Sequence, residues 1–279
     1  MSTLHAIFIA ILQGATELFP ISSLGHAVVL PALFRWQVDQ GAPEYLPFLV
    51  LLHTGTAVAL LAYFWRDWLG LLRGVLGLDG AARGAASRRL FVLIVVATIP
   101  AVILGYVFNH FFRSLFATPL IACGFLVANG LLLLFGERLR SASTRSRLMS
   151  SMTARDAVVI GIWQCGALLP GISRSGATIV GGLLRGFDHL ESAHFSFLIA
   201  LPIIVGATVL EVPHLLHASV APGVFQQALI AAVVAGVTAW LATALLMRYF
   251  RSHDDWALSP FAIYCVVFGA GAATYLLLA

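Results

Sequence analysis

The chain has 279 residues, of which 60% are hydrophobic and only 10% are charged. Soluble globular domains carry about 25% charged residues, so this composition excludes a water-soluble globular protein. Lipid is a solvent in which apolar side chains can remain exposed. The formal net charge of +4 resides in arginine-rich loops, and it indicates membrane orientation rather than nucleic-acid binding. The three cysteines lack CxxC spacing and are predicted to be buried thiols: Cys123, Cys165 and Cys265.

The hydrophobic segments predict an all-α integral membrane protein that forms a single membrane domain over residues 1–279. A spanning helix needs about 20 mostly apolar residues. Six segments reach that length: 46–65, 90–108, 118–136, 195–212, 225–247 and 257–278. Two more apolar regions, 4–34 and 157–186, are broken by polar residues and Pro. Each predicts a re-entrant hairpin of two short helices.

The two broken regions resemble each other in sequence. A shift of 151 positions aligns several residues at the polar interruptions: Gln13 with Gln164, Ile21 with Ile172, Ser22 with Ser173, and Gly25 with Gly176. This similarity predicts an internal repeat with halves at about 1–140 and 150–279.

Loop charge predicts how the halves are oriented. Arginines concentrate in loops 66–89, 137–156 and 248–255, which are predicted to be cytoplasmic. Three predicted crossings then separate the hairpins, which must enter the membrane from opposite faces. The prediction is therefore an inverted-topology repeat whose broken helices meet near the bilayer midplane.

The first hairpin turn carries acid, hydroxyl and imidazole groups. Its polar residues and helix breaker are, in order, Gln13, Glu17, Pro20, Ser22, Ser23 and His26. Gln13 and Glu17 are four positions apart and share one helix face, which ends at Pro20. Ionisable groups inside a membrane are costly, so this cluster predicts metal binding or proton transfer beside a hydroxyl nucleophile. The alternative is a cluster of capping and packing residues.

The second hairpin turn has the chemistry of a phosphate site. It contains, in order, Pro170, Gly171, Ser173, Arg174, Ser175, Gly176 and Thr178. A helix begins here, and its free N–H groups favour an anion. Arg174 adds a fork of donors that matches phosphate oxygens. The alternative is a snorkelling arginine beside a flexible turn.

At these residues the chain resembles the undecaprenyl-pyrophosphate phosphatase family of the bacitracin-resistance type. The family motifs are (E/Q)xxxE followed by PxSSxGH, and PGxSRSxxT. They correspond to Gln13–Glu17, Pro20–His26 and Pro170–Thr178, and similar stretches extend over nearly the whole chain. The resemblance implies hydrolysis of undecaprenyl pyrophosphate to undecaprenyl phosphate and inorganic phosphate, which recycles the lipid carrier for peptidoglycan synthesis. It also implies bacitracin resistance, a divalent cation that is usually magnesium, and a bacterial inner-membrane location with a site open to the periplasm.

The resemblance also implies roles for individual residues. Glu17 is the expected metal ligand or acid/base, with Gln13 beside it at the metal. Ser23 is the expected nucleophile and His26 the group that moves protons. The pyrophosphate is expected to be held by Ser173, Arg174 and Thr178, with the hydroxyls of Ser22 and Ser175 as further candidates. Arg174 would also stabilise charge on the transferred phosphoryl group.

Two positions depart from the family pattern. The first acidic position of the family is often Glu but is Gln13 here, which offers an oxygen without a charge. Some members have Arg after the Pro-Phe-Ala-Ile-Tyr stretch, where this chain has Cys265, so any phosphate contact from that position is lost.

Other candidates and other functions stay open at this point. His53 lies inside a predicted spanning helix and belongs either to the site or to a hydrogen bond with a neighbouring helix. Histidines near loops, such as His189, are predicted to be solvated. Gly182 and Gly186 form a weak GxxxG packing signal, and the oligomeric state, including a homodimer, is left open. A polyprenyl-phosphate transporter is the main alternative, and a phosphatidic-acid-type phosphatase is disfavoured because no His follows Ser173-Arg174 closely.

Overall fold

The computed structural model describes residues 3–36, 45–108, 111, 115, 118–141, 146–217 and 224–278. This part of the chain is helical and contains no β-strand. Its α-helices are α1 Thr3–Thr16, α2 Ser23–Leu33, α3 Tyr45–Tyr63, α4 Trp65–Val75, α5 Ala81–Val107, α6 Pro119–Ser141, α7 Ala154–Cys165, α8 Arg174–Leu184, α9 His189–His217, α10 Val224–Ser252 and α11 Ser259–Leu278. Short 3₁₀ turns lie at Met149–Ser151 and Gly166–Leu168.

Helix length and hydropathy confirm a multi-pass membrane protein. Five helices, α5, α6, α9, α10 and α11, are each long and apolar enough to cross a bilayer. Helices α3 and α4, which meet at a bend of 78°, pass the same test when they are taken together as one broken span. These helices account for the six predicted spans.

One predicted loop is largely helical. Residues 66–89 contain most of α4 and the beginning of α5. The two helices pack closely, because a Cβ on Gly74 would lie 2.3 Å from Cβ of Ser87. The arginines mark this segment as polar, but α4 buries Leu71 and Gly74. Arginine content therefore did not mark the absence of a helix, and the cytoplasmic placement of this segment stays a prediction.

Each predicted hairpin packs against a long helix from the other half of the chain. Helix α1 lies along α10, and a Cβ on Gly14 would come within 2.3 Å of the Ala235 carbonyl oxygen. Helix α7 lies along α5, where a Cβ on Gly161 would come within 2.5 Å of the Ala97 carbonyl oxygen. Small residues allow such close helix contacts in membranes. The inverted repeat itself stays a prediction.

The two hairpin turns meet inside the protein. A Cβ on Gly25 would lie only 2.9 Å from Cα of Gly171. Gly171 has a φ of +116°, which side chains other than glycine rarely adopt. Ser22 caps α2 by accepting from the Gly25 amide, and Ser173 caps α8 by accepting from the Gly176 amide. The N-termini of α2 and α8 are thereby placed next to each other.

Two sequence interpretations need correction. His189 is fully buried, with Nε2 3.0 Å from Glu137 Oε1 and Nδ1 2.8 Å from Asp254 Oδ1. The prediction that it is solvated was wrong, because its partners are distant in sequence. Gly182 packs against Ser192 of the same chain, so the GxxxG pair supplies no argument for a dimer.

Candidate active site

A cavity of about 210 Å³ lies beside the two hairpin turns. Its wall is mostly leucine, isoleucine, valine and alanine. The polar residues in the wall are Glu17, Ser22, Ser23, His53, Gln164, Ser173 and Arg174. A mainly apolar cavity with a few convergent polar groups is the usual form of a ligand site.

Glu17 is the centre of the polar cluster. Its side chain is buried, and Oε2 accepts hydrogen bonds from Ser23 Oγ at 2.6 Å and from Gln13 Nε2 at 3.0 Å. His53 Nε2 lies 3.2 Å from the same oxygen. Arg174 donates to Oε1 from 3.2 Å. A buried carboxylate needs such partners because an unpaired buried charge is unfavourable.

His53 reaches this cluster from α3. Its Nδ1 lies 2.8 Å from the Leu49 carbonyl oxygen. A carbonyl only accepts, so Nδ1 donates there, and Nε2 donates to Glu17 when the ring is protonated. The structure therefore places His53 in the site. The alternative for His53 was a hydrogen bond with a neighbouring helix. Such a bond is made instead by its neighbour Thr54, whose Oγ1 lies 2.7 Å from Thr208 Oγ1 on α9.

Arg174 is the first residue of α8 and approaches Glu17 from the opposite turn. Its second contact is to the Ser196 carbonyl oxygen at 3.1 Å. Among the described residues, its buried Nε has no hydrogen-bond partner. An unused guanidinium donor next to a cavity is suited to an additional oxygen ligand.

The other hydroxyls predicted to hold pyrophosphate have partners within the protein. Ser173 lines the cavity and caps α8, while Ser175 is buried behind it and donates to the Phe19 carbonyl at 3.2 Å. Thr178 is also buried, with its Oγ1 2.6 Å from Ser196 Oγ. Neither Ser175 nor Thr178 lines the cavity. Their role as substrate contacts stays a prediction.

His26 lies apart from the Glu17 cluster. Its Nδ1 donates to the Ser22 carbonyl at 2.6 Å, and its Nε2 lies 2.7 Å from the Tyr264 hydroxyl. Its ring stacks on Phe268 with centroids 4.9 Å apart. The structure thus brings together Glu17, Ser23 and Arg174 but directs His26 towards α11. The predicted proton-transfer role of His26 stays a prediction.

Sequence reasoning missed two partners of the predicted residues. Asn129 of α6 is fully buried and contacts both turns. Tyr264 of α11 holds His26. Asn129 could have been found as a strongly polar side chain inside an apolar spanning segment. Cys265 lies next to Asn129, with 3.4 Å between Sγ and Nδ2, and is fully buried.

The resemblance implies a magnesium ion, and the side chains near Glu17 can be compared with the ligands that Mg²⁺ requires. The described residues contain no group of three or more His, Cys, Asp or Glu side chains that could hold a metal. Mg²⁺ commonly needs only one or two carboxylates, because water and substrate phosphates supply its other oxygens. Gln13 Oε1 is a buried oxygen with no hydrogen-bond partner among the described residues, and the Nε2 of the same amide faces the Glu17 carboxylate. A flip of the Gln13 amide would turn its oxygen towards Glu17, and the two oxygens would then fit a hard cation.

Fold and site together define a multi-pass membrane protein with a buried acid, hydroxyl and arginine site suited to phosphate chemistry. The chain belongs to the bacitracin resistance protein BacA family, whose model matches residues 6–271.

Three similar curated proteins are each named undecaprenyl-diphosphatase. The protein from Granulibacter bethesdensis is 62% identical over 99% of this chain and 97% of its own length. The protein from Acidiphilium cryptum is 57% identical over 97% of this chain and 96% of its own. The protein from Gluconacetobacter diazotrophicus is 54% identical over 100% of this chain and 98% of its own. The family predicted from the two turn motifs is confirmed.

Proposed function

We propose that this protein is an undecaprenyl-diphosphatase that hydrolyses undecaprenyl pyrophosphate to undecaprenyl phosphate and inorganic phosphate. The observation that carries the proposal is the arrangement around Glu17. Ser23 donates to one carboxylate oxygen at 2.6 Å, and Arg174 donates to the other at 3.2 Å, in the wall of one cavity. The site thereby brings together a nucleophile (Ser23), a base that can accept its proton (Glu17) and a side chain that can bind phosphate (Arg174). The names of the relatives support the same activity.

Ser23 is the nucleophile in this proposal. Its hydroxyl already donates to Glu17, so the carboxylate can accept the proton as Oγ attacks the terminal phosphorus. The new bond joins Oγ to phosphorus, and the bond to the bridging oxygen breaks. Undecaprenyl phosphate leaves with that oxygen. Water then cleaves the phosphoserine, giving inorganic phosphate and restoring the hydroxyl.

Arg174 supplies the phosphate contact. Its guanidinium combines a contact to Glu17, a contact to the Ser196 carbonyl and a free Nε. Planar donors of this kind bind phosphate oxygens in pairs. Charge on the transferred phosphoryl group would be stabilised by the same donors, which act strongly in a buried site. The N-terminus of α8 lies at the same position and favours an anion.

A divalent cation completes the proposal, and magnesium is the preferred ion because the available donors are oxygens. Glu17 and the side-chain oxygen of Gln13 would hold it, together with phosphate oxygens of the substrate. When bound, the ion would neutralise charge on the pyrophosphate. Gln13 contributes an oxygen but no charge, so Glu17 supplies the anionic ligand.

The family and the loop charge support a proposal for the location in the cell. We propose the bacterial inner membrane, with the arginine-rich loops in the cytoplasm and with a site that opens to the periplasm, as the family resemblance implies. There it would return the lipid carrier to peptidoglycan synthesis. Removal of the pyrophosphate form would also confer bacitracin resistance, in keeping with the family name.

The experiment that tests this function measures both products. Purified protein in detergent is given undecaprenyl pyrophosphate with Mg²⁺ or with a chelator, and the control substrate is undecaprenyl phosphate. We expect equal amounts of inorganic phosphate and undecaprenyl phosphate with Mg²⁺, little release with the chelator, and none from the control substrate. Binding of undecaprenyl pyrophosphate without release of phosphate would contradict the phosphatase and favour the transporter alternative.

A further inference from the structure

Asn129 contacts both hairpin turns from a third element. Its Oδ1 accepts a hydrogen bond from the backbone amide of Ser173 at 2.9 Å. Its Nδ2 donates to the carbonyl oxygen of Pro20, also at 2.9 Å. The side chain is fully buried in α6. One amide group therefore joins the backbone of the first turn to that of the second.

These two contacts lie close in sequence to the residues proposed to bind and cleave the substrate. Ser173 immediately precedes Arg174, so its amide fixes the backbone from which the guanidinium projects. Pro20 lies three residues from both Glu17 and Ser23 in the first turn. Asn129 therefore constrains the two parts of the site relative to each other without lining the cavity itself.

Close packing holds Asn129 in place. Next to it, Gly130 allows α6 to approach α11 so closely that a Cβ there would lie 2.6 Å from the Ala262 carbonyl oxygen. Backbone contact of this kind leaves little freedom for α6 to shift. The amide therefore has a rigid support, which a positioning group requires.

The Asn129 amide has a small neighbour on α11. Cys265 of α11 places its small thiol 3.4 Å from Nδ2. The thiol is fully buried and offers no charge. The neutral amide of Asn129 makes the link between the turns.

We propose that Asn129 is a positioning residue, which keeps the Glu17–Ser23 pair aligned with Arg174 by joining the two turns. The inference deepens the proposed function and rests on it. Further links between the turns are weaker at this point: Ser173 Oγ and Ser175 Oγ reach the Phe19 carbonyl at 3.4 and 3.2 Å. Loss of Asn129 would thus leave the turns in contact but shifted against each other.

The test compares Asn129→Leu, which keeps the volume, with Asn129→Ser, which is too short to bridge both partners. The matched control is Thr243→Val, which removes one buried hydrogen bond within α10, from Thr243 to Ala239. Full-length protein in detergent is assayed for kcat and KM with undecaprenyl pyrophosphate, and folding is checked by thermal unfolding. We expect kcat to fall about 100-fold in both Asn129 variants, because small misplacements of reacting groups have such effects. KM and the activity of the control should change by less than about threefold.

The result that would overturn the proposal is folded Asn129→Leu protein with kcat within about twofold of wild type. If neither Asn129 variant folds, hydrogen exchange of the wild-type protein tests whether the Ser173 amide is hydrogen-bonded to Asn129. The Ser173 amide should exchange at least about 100-fold more slowly than an unstructured amide, and exchange at the unstructured rate would disprove the bridge. Failure of the proposed function is recognised separately, because wild-type protein would then release no phosphate.

Discussion

Ser23 Oγ donates to Glu17 Oε2 at 2.6 Å across the turn that joins α1 to α2. The turn that follows Glu17 brings the two side chains together, and Ser22 adopts a φ of 68° within it. Non-glycine residues with positive φ are uncommon and often mark functional turns. The local backbone is therefore shaped to present a hydroxyl to a carboxylate.

Replacement of Ser23 by Ala tests the nucleophile. Without Oγ no phosphoserine can form, and we expect turnover of undecaprenyl pyrophosphate to fall by about 10³-fold or more, with lipid binding retained. Phosphate release and lipid binding by the purified variant measure the two effects. Ser252→Ala is a matched control at the end of α10 and should behave as wild type. Full activity of Ser23→Ala would assign the attack to water or to another hydroxyl.

His53 can be tested with a pair of substitutions. His53→Gln keeps a donor that can reach Glu17, whereas His53→Leu removes the donor and leaves one side of the carboxylate uncovered. Preorganised donors affect rate more than binding when they act on a reacting group. We expect kcat/KM to fall about 100-fold in His53→Leu and less than about 10-fold in His53→Gln. Equal loss in both variants would show that the Nε2 contact to Glu17 is not what His53 contributes.

Gly171 tests the close contact of the turns. An alanine there would have an unfavourable φ of +116° and a Cβ 2.5 Å from the Ala122 carbonyl oxygen. We expect Gly171→Ala to destabilise the fold by about 2–3 kcal/mol, measured by thermal unfolding in detergent. Gly70→Ala in α4 is the matched control, since no atom lies within 4 Å of its added Cβ. Unchanged stability of Gly171→Ala would contradict the described turn.

Asp254, which lies between the membrane spans α10 and α11, predicts a pH dependence of stability. Burial alone would raise the pKa of Asp254, but hydrogen bonds from His189 and Arg140 hold this pKa below its usual range. A carboxylate with a lowered pKa stabilises the fold above its unfolded pKa of about 3.9, and this contribution is lost as the pH falls through the folded pKa.

Asp254→Asn should therefore lower the midpoint of thermal unfolding at pH 7. The difference from wild type should shrink as the pH falls below about 4, where the carboxylate of the unfolded chain begins to bind a proton, and it should be smallest below the lowered pKa of folded Asp254. Thermal unfolding in detergent at several pH values provides the measurement. The neighbouring exposed Asp255 gives the control Asp255→Asn, which should differ little from wild type at any pH. A constant difference at all pH values would rule out the ionised Asp254 as the cause.

Much of the architecture could be predicted from the sequence because a membrane imposes simple rules. Apolar runs of spanning length predicted the long helices, and polar residues with Pro and Gly predicted the two broken regions. The Glu17, Ser23 and Arg174 cluster was also predictable, because charged and hydroxyl groups are rare in such segments. Each of these predictions rested on a residue pattern within one segment of the chain.

Contacts between distant segments could not be predicted in the same way. Nothing in the sequence near His26 indicates that its Nε2 faces Tyr264, which is 238 positions away. The link from Asn129 to Pro20 spans 109 positions. His189 looked solvated because it begins a helix after a loop, but Glu137 and Asp254 surround it in the fold. Helix packing determines such pairs.

Arg174 offers the most direct test of the central claim, that one hairpin turn supplies the nucleophile and the other holds the phosphate. Phosphate release from undecaprenyl pyrophosphate with Mg²⁺ would be compared for wild type, Arg174→Ala and Arg174→Lys. We predict rapid release by wild type, a loss of about 10³-fold in Arg174→Ala, and poor rescue by Lys, because a single ammonium group cannot replace the planar donors. Near wild-type release by folded Arg174→Ala would contradict the account.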